Sequence, residues 1–370
     1  MRMLIAGLIA LMIANSGIAF AAEDGAGPRS SYKVGFTVRE FVRPEPYDWR
    51  GSTHRALLTM IWYPSAADAI EKRQELGPPG NPLLDGGSAA PDAALAPTPT
   101  KFPLIVLSHG TGGTSANMAW LGTALAAHGY IAVAVNHPGN NAIDGYTPQG
   151  FTLWWLRAAD LSAIIDAMPA DKMFAGRIDA RRIAGAGHSL GGYTMIEIAG
   201  GITSLAHFKE FCASAEADGM CKPPNEFSDL RKSAVALQND PSYRAAIDGQ
   251  GRSYRDPRIR AIFVMAPALG PAFAPESLER IDIPVAIVVG AGDQAVPVAS
   301  SARYFAAKIP HAELTIFPGE AGHYIFAGLC LEAARATRPT LCSDPAGVDR
   351  AALGAETIRL ALDFFSRKLR

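Results

Sequence analysis

Gly187-His188-Ser189-Leu190-Gly191-Gly192 is the stretch on which the reading of this chain turns. Before it, Arg182-Ile183-Ala184-Gly185-Ala186 is short and mostly apolar, as a strand is. After it, Tyr193-Thr194-Met195-Ile196-Glu197-Ile198-Ala199 carries apolar residues at helical spacing. A serine between strand and helix, with glycine two residues before and two after, fits the G-x-S-x-G turn that exposes a nucleophile above a sheet. The turn is strained and crowded, so only small residues let the backbone pass close to the neighbouring strand. With 36 glycines in 370 residues, the bare pattern also arises by chance, and its weight comes from context. The alternative is a glycine-rich strand-to-helix turn with an incidental serine.

Outward from this turn, apolar strands alternate with helices. Strands are expected at 32–42, 55–63, 102–107, 130–135, 259–264, 284–289 and 312–317, and helices at 121–128, 154–168 and 351–367. In the 154–168 helix, Arg157, Asp160 and Asp166 are expected on the wetter side. Continuous apolar strands interleaved with helices predict an α/β fold, a mostly parallel central sheet with helices on both faces. Residues 64–100 are dense in Pro, Gly, Ala and Asp and read as a long surface loop. Residues 202–257 break the rhythm and read as a cap inserted after the nucleophile helix. There, Phe208, Phe211 and Met220 either line an acyl pocket or form a satellite core. Trp154 and Trp155 are further candidates to face the site.

Ligands of such sheets bind at the carboxyl ends of the strands. Asp293 follows one late strand, in Gly290-Ala291-Gly292-Asp293, and His323 follows the last, in Gly319-Glu320-Ala321-Gly322-His323. A serine hydroxyl needs a base, neutral imidazole serves near neutral pH, and a carboxylate orients the ring and stabilises the imidazolium. Ser189, Asp293 and His323 therefore form a candidate catalytic triad, in the chain order of α/β-hydrolases. Individually, Asp293 could cap a helix and His323 could be a hydrogen-bonded loop histidine. Asp282 precedes its strand, at the wrong end of the sheet, and Glu320 is the reserve acid. After the 102–107 strand, Ser108-His109-Gly110-Thr111-Gly112-Gly113 can aim a backbone N–H at an oxyanion. Thr111 and Leu190 are the expected donors, and His109 and His188 are read as packing or orienting residues. A phosphate loop is the rival, without a Gly-Lys-Ser/Thr ending to support it.

Trp62-Tyr63-Pro64, Phe102 to Gly110, His128-Gly129-Tyr130, Asn136-His137-Pro138-Gly139 and Gly187 to Gly192 occur in that order. Over about residues 33–325 the chain resembles the exported α/β-hydrolases labelled predicted dienelactone hydrolases, and is similar to platelet-activating-factor acetylhydrolase. The resemblance implies a Ser-His-Asp carboxylic ester hydrolase with Thr111 and Leu190 as oxyanion donors. Dienelactone hydrolases themselves use a cysteine nucleophile, where this chain has serine.

The formal charge of −1, with 19% charged residues, gives no basic face for nucleic acid. Arg2, an apolar run from Leu4 to Ile18 and Ala19-Phe20-Ala21 read as a signal peptide over 1–21, with the mature domain at 22–370. The run is about 15 residues, short of the roughly 20 of a membrane anchor, so an exported protein, periplasmic or secreted, is expected. Cys212, Cys221, Cys330 and Cys342 lie in two close pairs. They are read as disulfides Cys212–Cys221 and Cys330–Cys342, with a zinc site as the rival. The expected partner is a small-molecule ester, handled without metal or cofactor, and the oligomeric state stays open. An amidase or peptidase, a polyester or lipid-ester hydrolase, and a non-catalytic binding module on the same fold are the competing readings.

Overall fold

The computed structural model describes residues 32–222 and 228–370. The expected signal peptide and residues 223–227 of the expected cap lie outside the described residues. The chain enters through β1 (Lys33–Phe41) and β2 (Leu57–Ser65), then β3 (Lys72–Leu76), β4 (Leu84–Pro91) and β5 (Phe102–Ser108). Next come α1 (Ala119–Ala127), β6 (Ile131–Val135) and a small hairpin of β7 (Asn140–Asn141) and β8 (Gly145–Tyr146). The helices α2 (Pro148–Thr152) and α3 (Arg157–Ala167), then β9 (Ile178–His188) and α4 (Leu190–Ala199), lead to the middle of the sheet. The 202–257 region holds α5 (Leu205–Ala213), α6 (Ser228–Ala236) and α7 (Pro241–Asp248). Then follow β10 (Ile259–Met265), α8 (Pro275–Leu278), β11 (Val285–Gly290), α9 (Ala302–Lys308) and β12 (Glu313–Phe317). The chain closes with β13 (Leu329–Cys330), α10 (Glu332–Thr337), α11 (Pro339–Cys342) and α12 (Arg350–Lys368).

The sheet runs β12-β11-β10-β9-β5-β6-β2-β1-β4-β13, with β3 paired to β4. From β6 to β12 every neighbouring pair is parallel. β2 is reversed against β6 and β1, and β3 and β13 are reversed against β4. All residues of β5, β6 and β11 are buried, as their continuous Val, Ile and Leu runs require in a sheet covered on both faces. Helix α1 packs with α12, and α3 with α4. The Phe263 ring of β10 meets Phe364 and Phe365 of α12, at 6.2 and 6.3 Å. The carboxyl ends of β5, β9, β11 and β12 consequently open on one rim.

Two expectations are corrected. Residues 64–100 are not a surface loop: β3 and β4 extend the sheet past β1, and Leu84, Ala89 and Ala90 are buried. The glycines that suggested a loop have a packing reason. A Cβ on Gly86 would lie 2.7 Å from Leu76 Cδ1 and 3.2 Å from Ala119 Cβ, so glycine lets α1 approach this strand. Arg157 and Asp160 are not on a wet face either; both are fully buried, and only Asp166 is exposed. Periodicity treats a charge as solvent-facing, whereas Arg50, arriving from the β1–β2 connection, meets Asp160 inside the protein. The Trp154 helix is itself divided: Trp154–Leu156 is a 3₁₀ turn ahead of α3.

Both cysteine pairs are disulfides, Cys212–Cys221 and Cys330–Cys342. The first closes the end of α5 onto a 3₁₀ turn, Gly219–Cys221. The second ties β13, which pairs with β4, to α11. Among the described residues no helix is long and apolar enough to cross a membrane.

Candidate active site

Ser189 stands between β9 and α4 with φ 57° and ψ −119°, a left-handed conformation that costs a non-glycine residue energy and persists only when its surroundings enforce it. The enforcement is visible. The Ser189 N–H donates to Met265 O at 2.9 Å, and Ser189 O accepts from Ala268 N–H at 3.1 Å. The flanking glycines are required by space. A Cβ on Gly187 would lie 2.2 Å from Gly191 O, and one on Gly191 would lie 1.9 Å from Ser108 O. The β10 connection that braces the turn is itself bent through Ala266 (φ 43°) and Leu269 (φ 60°).

The histidine and the aspartate meet as the chain order implies. His323 Nδ1–H donates to Asp293 Oδ2 at 2.7 Å, and both side chains are buried. The other Asp293 oxygen accepts from the backbone N–H groups of Ala295 (3.0 Å) and Val296 (2.8 Å). Asp293 thus caps the following turn and hydrogen-bonds His323 as well. Glu320 is exposed on the loop. His188 lies against His323, with ring centroids 4.7 Å apart. Its Nε2–H donates to His323 O at 3.1 Å. Burial, and then His323 nearby, push the His188 pKa well below the ordinary value, so it is a neutral donor holding the His323 backbone.

The glycine loop after β5 is closely tied. The N–H groups of Gly112, Gly113, Thr114 and Ser115 donate to Asn140 Oδ1, Gly110 O, Asn117 Oδ1 and Asn136 Oδ1, at 2.7–3.2 Å. Over 111–115, the Thr111 N–H is the one without a protein acceptor among the described residues. Leu190 opens α4, so its N–H has no partner within the helix either, and the helix dipole favours negative charge there.

Sequence reasoning missed the groups beneath this loop. Ser108, His137, Arg157 and Asp160 are fully buried, and Arg50 nearly so. Asp160 accepts from Arg50 Nη2 at 2.7 and 2.8 Å, Tyr47 Oη at 2.6 Å and His137 Nδ1 at 2.7 Å. Burial pushes the Asp160 carboxyl up, and Arg50 and Tyr47 oppose that shift. Burial first, and then Arg157, push His109 and His137 well below the ordinary value. Burial also lowers Arg157 to about 9. The only sequence signal was Asn136-His137-Pro138-Gly139, a polar run directly after a strand.

The other candidates are dispersed. Trp155 is buried with Leu153 and Tyr243. Trp154 lies edge-on to Tyr193 and Phe208, at 6.4 and 6.5 Å. Phe208 packs against the main core and Phe211 is half-buried. Met220 Sδ accepts from Leu269 N–H at 3.2 Å. Among the described residues no cluster of His, Cys, Asp and Glu could hold a metal ion.

Residues 105–336 match the model of the Alpha/beta hydrolase family, and the chain belongs to that family. Its curated relatives include Cutinase est2 of Thermobifida alba, 37% identical over 100 residues, which is 26% of this chain and 30% of the relative. Cutinase cut1 of Thermobifida fusca is 35% identical over 100 residues, 26% of this chain and 28% of the relative. The chain therefore spans about a third of the length of the cutinases it matches. Among solved structures, a ferulic acid esterase from Streptomyces cinnamoneus superposes with a TM-score of 0.61 at 20% identity, covering 93% of this chain and 92% of that one. That likeness is one of fold.

Proposed function

We propose that this protein is a serine carboxylic ester hydrolase acting through an acyl-enzyme. One observation carries the reading: the buried 2.7 Å hydrogen bond from His323 Nδ1 to Asp293 Oδ2, at the rim where the strained Ser189 turn stands. With Nδ1 protonated, His323 keeps Nε2 as the basic nitrogen. Ser189 Oγ attacks the ester carbonyl carbon while His323 Nε2 takes its proton. The carbonyl oxygen becomes an oxyanion, held by the N–H groups of Thr111 and Leu190. The tetrahedral intermediate collapses, the alkoxide leaves with the proton from His323, and Ser189 is left acylated. Water, deprotonated by His323, repeats the sequence and releases the acid.

Small and medium esters are the proposed substrates, with polyester or lipid esters as the alternative. Residues 202–257 form a proposed cap. Its stapled turn reaches the loops around the site, through Met220 to Leu269 and through Asp218 to Ser300. Export to an oxidising compartment is proposed from the formed disulfides. The test is labelling with a fluorophosphonate alongside turnover of p-nitrophenyl esters and the matching anilides. The wild type should be labelled and Ser189→Ala should not, with esters cleaved far faster than anilides. An unlabelled wild type would leave only a non-catalytic module, and equal rates would favour an amidase.

A further inference from the structure

We propose that His109 is a positioning residue that aims the Thr111 amide, and that Ser108, Arg157, His137 and Asp160 hold His109 in place from inside the fold. The inference rests on the reading of Thr111 as an oxyanion donor.

A peptide unit is planar, with its C=O and N–H trans to each other. Gly110 C=O and Thr111 N–H belong to one such unit, so whatever fixes the carbonyl also fixes the direction of the amide. Gly110 O accepts from His109 Nδ1–H at 2.7 Å and from Gly113 N–H at 3.2 Å. The Thr111 N–H must then point the opposite way. Within the glycine loop only the 3.2 Å bond from Gly113 holds this plane; the imidazole adds a second, shorter bond that narrows its rotation.

The protons of the supporting chain can run in only one direction. A carbonyl oxygen can only accept, so His109 carries its proton on Nδ1, and its Nε2 accepts from His137 N–H at 3.3 Å. Asp160, with Arg50 against it, accepts from His137 Nδ1–H, which leaves His137 Nε2 to accept from Ser108 Oγ–H at 2.9 Å. The Ser108 oxygen in turn accepts from Arg157 Nη2 at 3.3 Å, and the same nitrogen donates to His109 O. Each link fixes the tautomer or rotamer of the next. The carbonyls of residues 109 and 110 end up held just ahead of the Thr111 amide, which has no protein acceptor among the described residues. Ser108, His137 and Asp160 imitate a catalytic triad in composition, but all three are fully buried and cannot touch substrate.

The test compares His109→Leu with His109→Asn. Asparagine can present its Nδ2–H where His109 Nδ1–H donates; leucine fills the space without a donor. Removing an oxyanion donor outright costs about 10²–10³-fold in kcat, and misaiming one should cost part of that, about 30-fold, with KM within about twofold. His109→Asn should recover kcat to within about threefold of wild type. A purely packing role predicts the reverse order, because leucine suits a buried apolar site better than asparagine. The rate of fluorophosphonate labelling, normalised to the final labelled fraction, should fall in step with kcat. If His109→Leu keeps the wild-type kcat, or His109→Asn falls as far as His109→Leu, the positioning role is wrong. Should His109→Leu fail to fold, Ser108→Ala cuts the relay more gently; an unchanged kcat there also overturns the proposal. A wild type that resists labelling, by contrast, would overturn the hydrolase reading itself.

Discussion

Gly191 offers a direct test of how closely the elbow and the oxyanion loop are coupled. A Cβ placed there would meet Ser108 O at 1.9 Å, Ser108 C at 2.5 Å and His109 O at 2.9 Å. All three are backbone atoms, so no side chain can swing aside. Clearing the 3.0 Å that real Cβ contacts respect requires the start of α4 and the end of β5 to part by about 1.1 Å. Leu190 opens α4 and Thr111 lies in the loop directly after β5, and a displacement of about 1 Å in a reacting geometry can cost 10²-fold. At 1.36 kcal/mol per tenfold, that is about 2.7 kcal/mol of transition-state stabilisation. Gly191→Ala should therefore lower kcat on p-nitrophenyl butyrate about 100-fold per labelled site, while circular dichroism shows a folded protein. Burst titration with a slowly deacylating ester counts the sites and separates lost turnover from lost protein. If Gly191→Ala turns over within threefold of wild type, the rigid coupling argued here is wrong.

Three other outcomes are expected. Asp293→Asn should lower kcat by about 10⁴-fold, with Glu320→Gln close to wild type because Glu320 is exposed; comparable losses in both would refute the assignment of the acid. Burial raises the Glu197 pKa from 4.5 to about 8, against hydrogen bonds from Thr203 and Tyr193. Such a group supports the fold fully below about pH 4.5 and progressively less as pH rises toward about 8. Relative to Glu197→Gln, the wild type should lose about 2–3 kcal/mol between about pH 5.5 and 7.5; urea melts whose difference stays flat with pH would exclude this. The paired substitutions Cys212→Ser and Cys221→Ser open a short loop, at a cost of about 2–3 kcal/mol. Limited proteolysis should then cut within 205–222 well before the body of the sheet, and an unchanged cleavage pattern would rule out the stapled turn.

What the sequence made legible followed from periodicity and turn chemistry. The runs of β5, β6 and β11 are apolar throughout because both faces are covered, and glycine at 187 and 191 was demanded by close backbone approach. Asp293 and His323 could be found because parallel strands deliver their ends to a single rim. β4 was not legible. Two glycines and a proline within eight residues resemble a loop until α1 is seen packed on them. The Arg50–Asp160 pair was hidden for a different reason: its members are 110 residues apart, and a charge reads as wet until its partner is known. Trp154 and Trp155 could not be told apart in sequence, although one is half-buried and its neighbour wholly enclosed.

The outer strands of the sheet bear on how the protein behaves in a crowd. An open strand edge is a template for another chain, and native proteins blunt it with charge and short length. On one side the last strands are β13 and β3, both paired to β4; in β3, Lys72, Arg73 and Glu75 occupy three of five positions. On the other the last strand is β12, whose Glu313 is bound by Arg367 and Lys368 of α12. A neighbour attempting to extend either rim must strip water from these ions or displace an existing pair. The same residues that finish the fold therefore discourage stacking between molecules, which matters most where copies accumulate at high concentration.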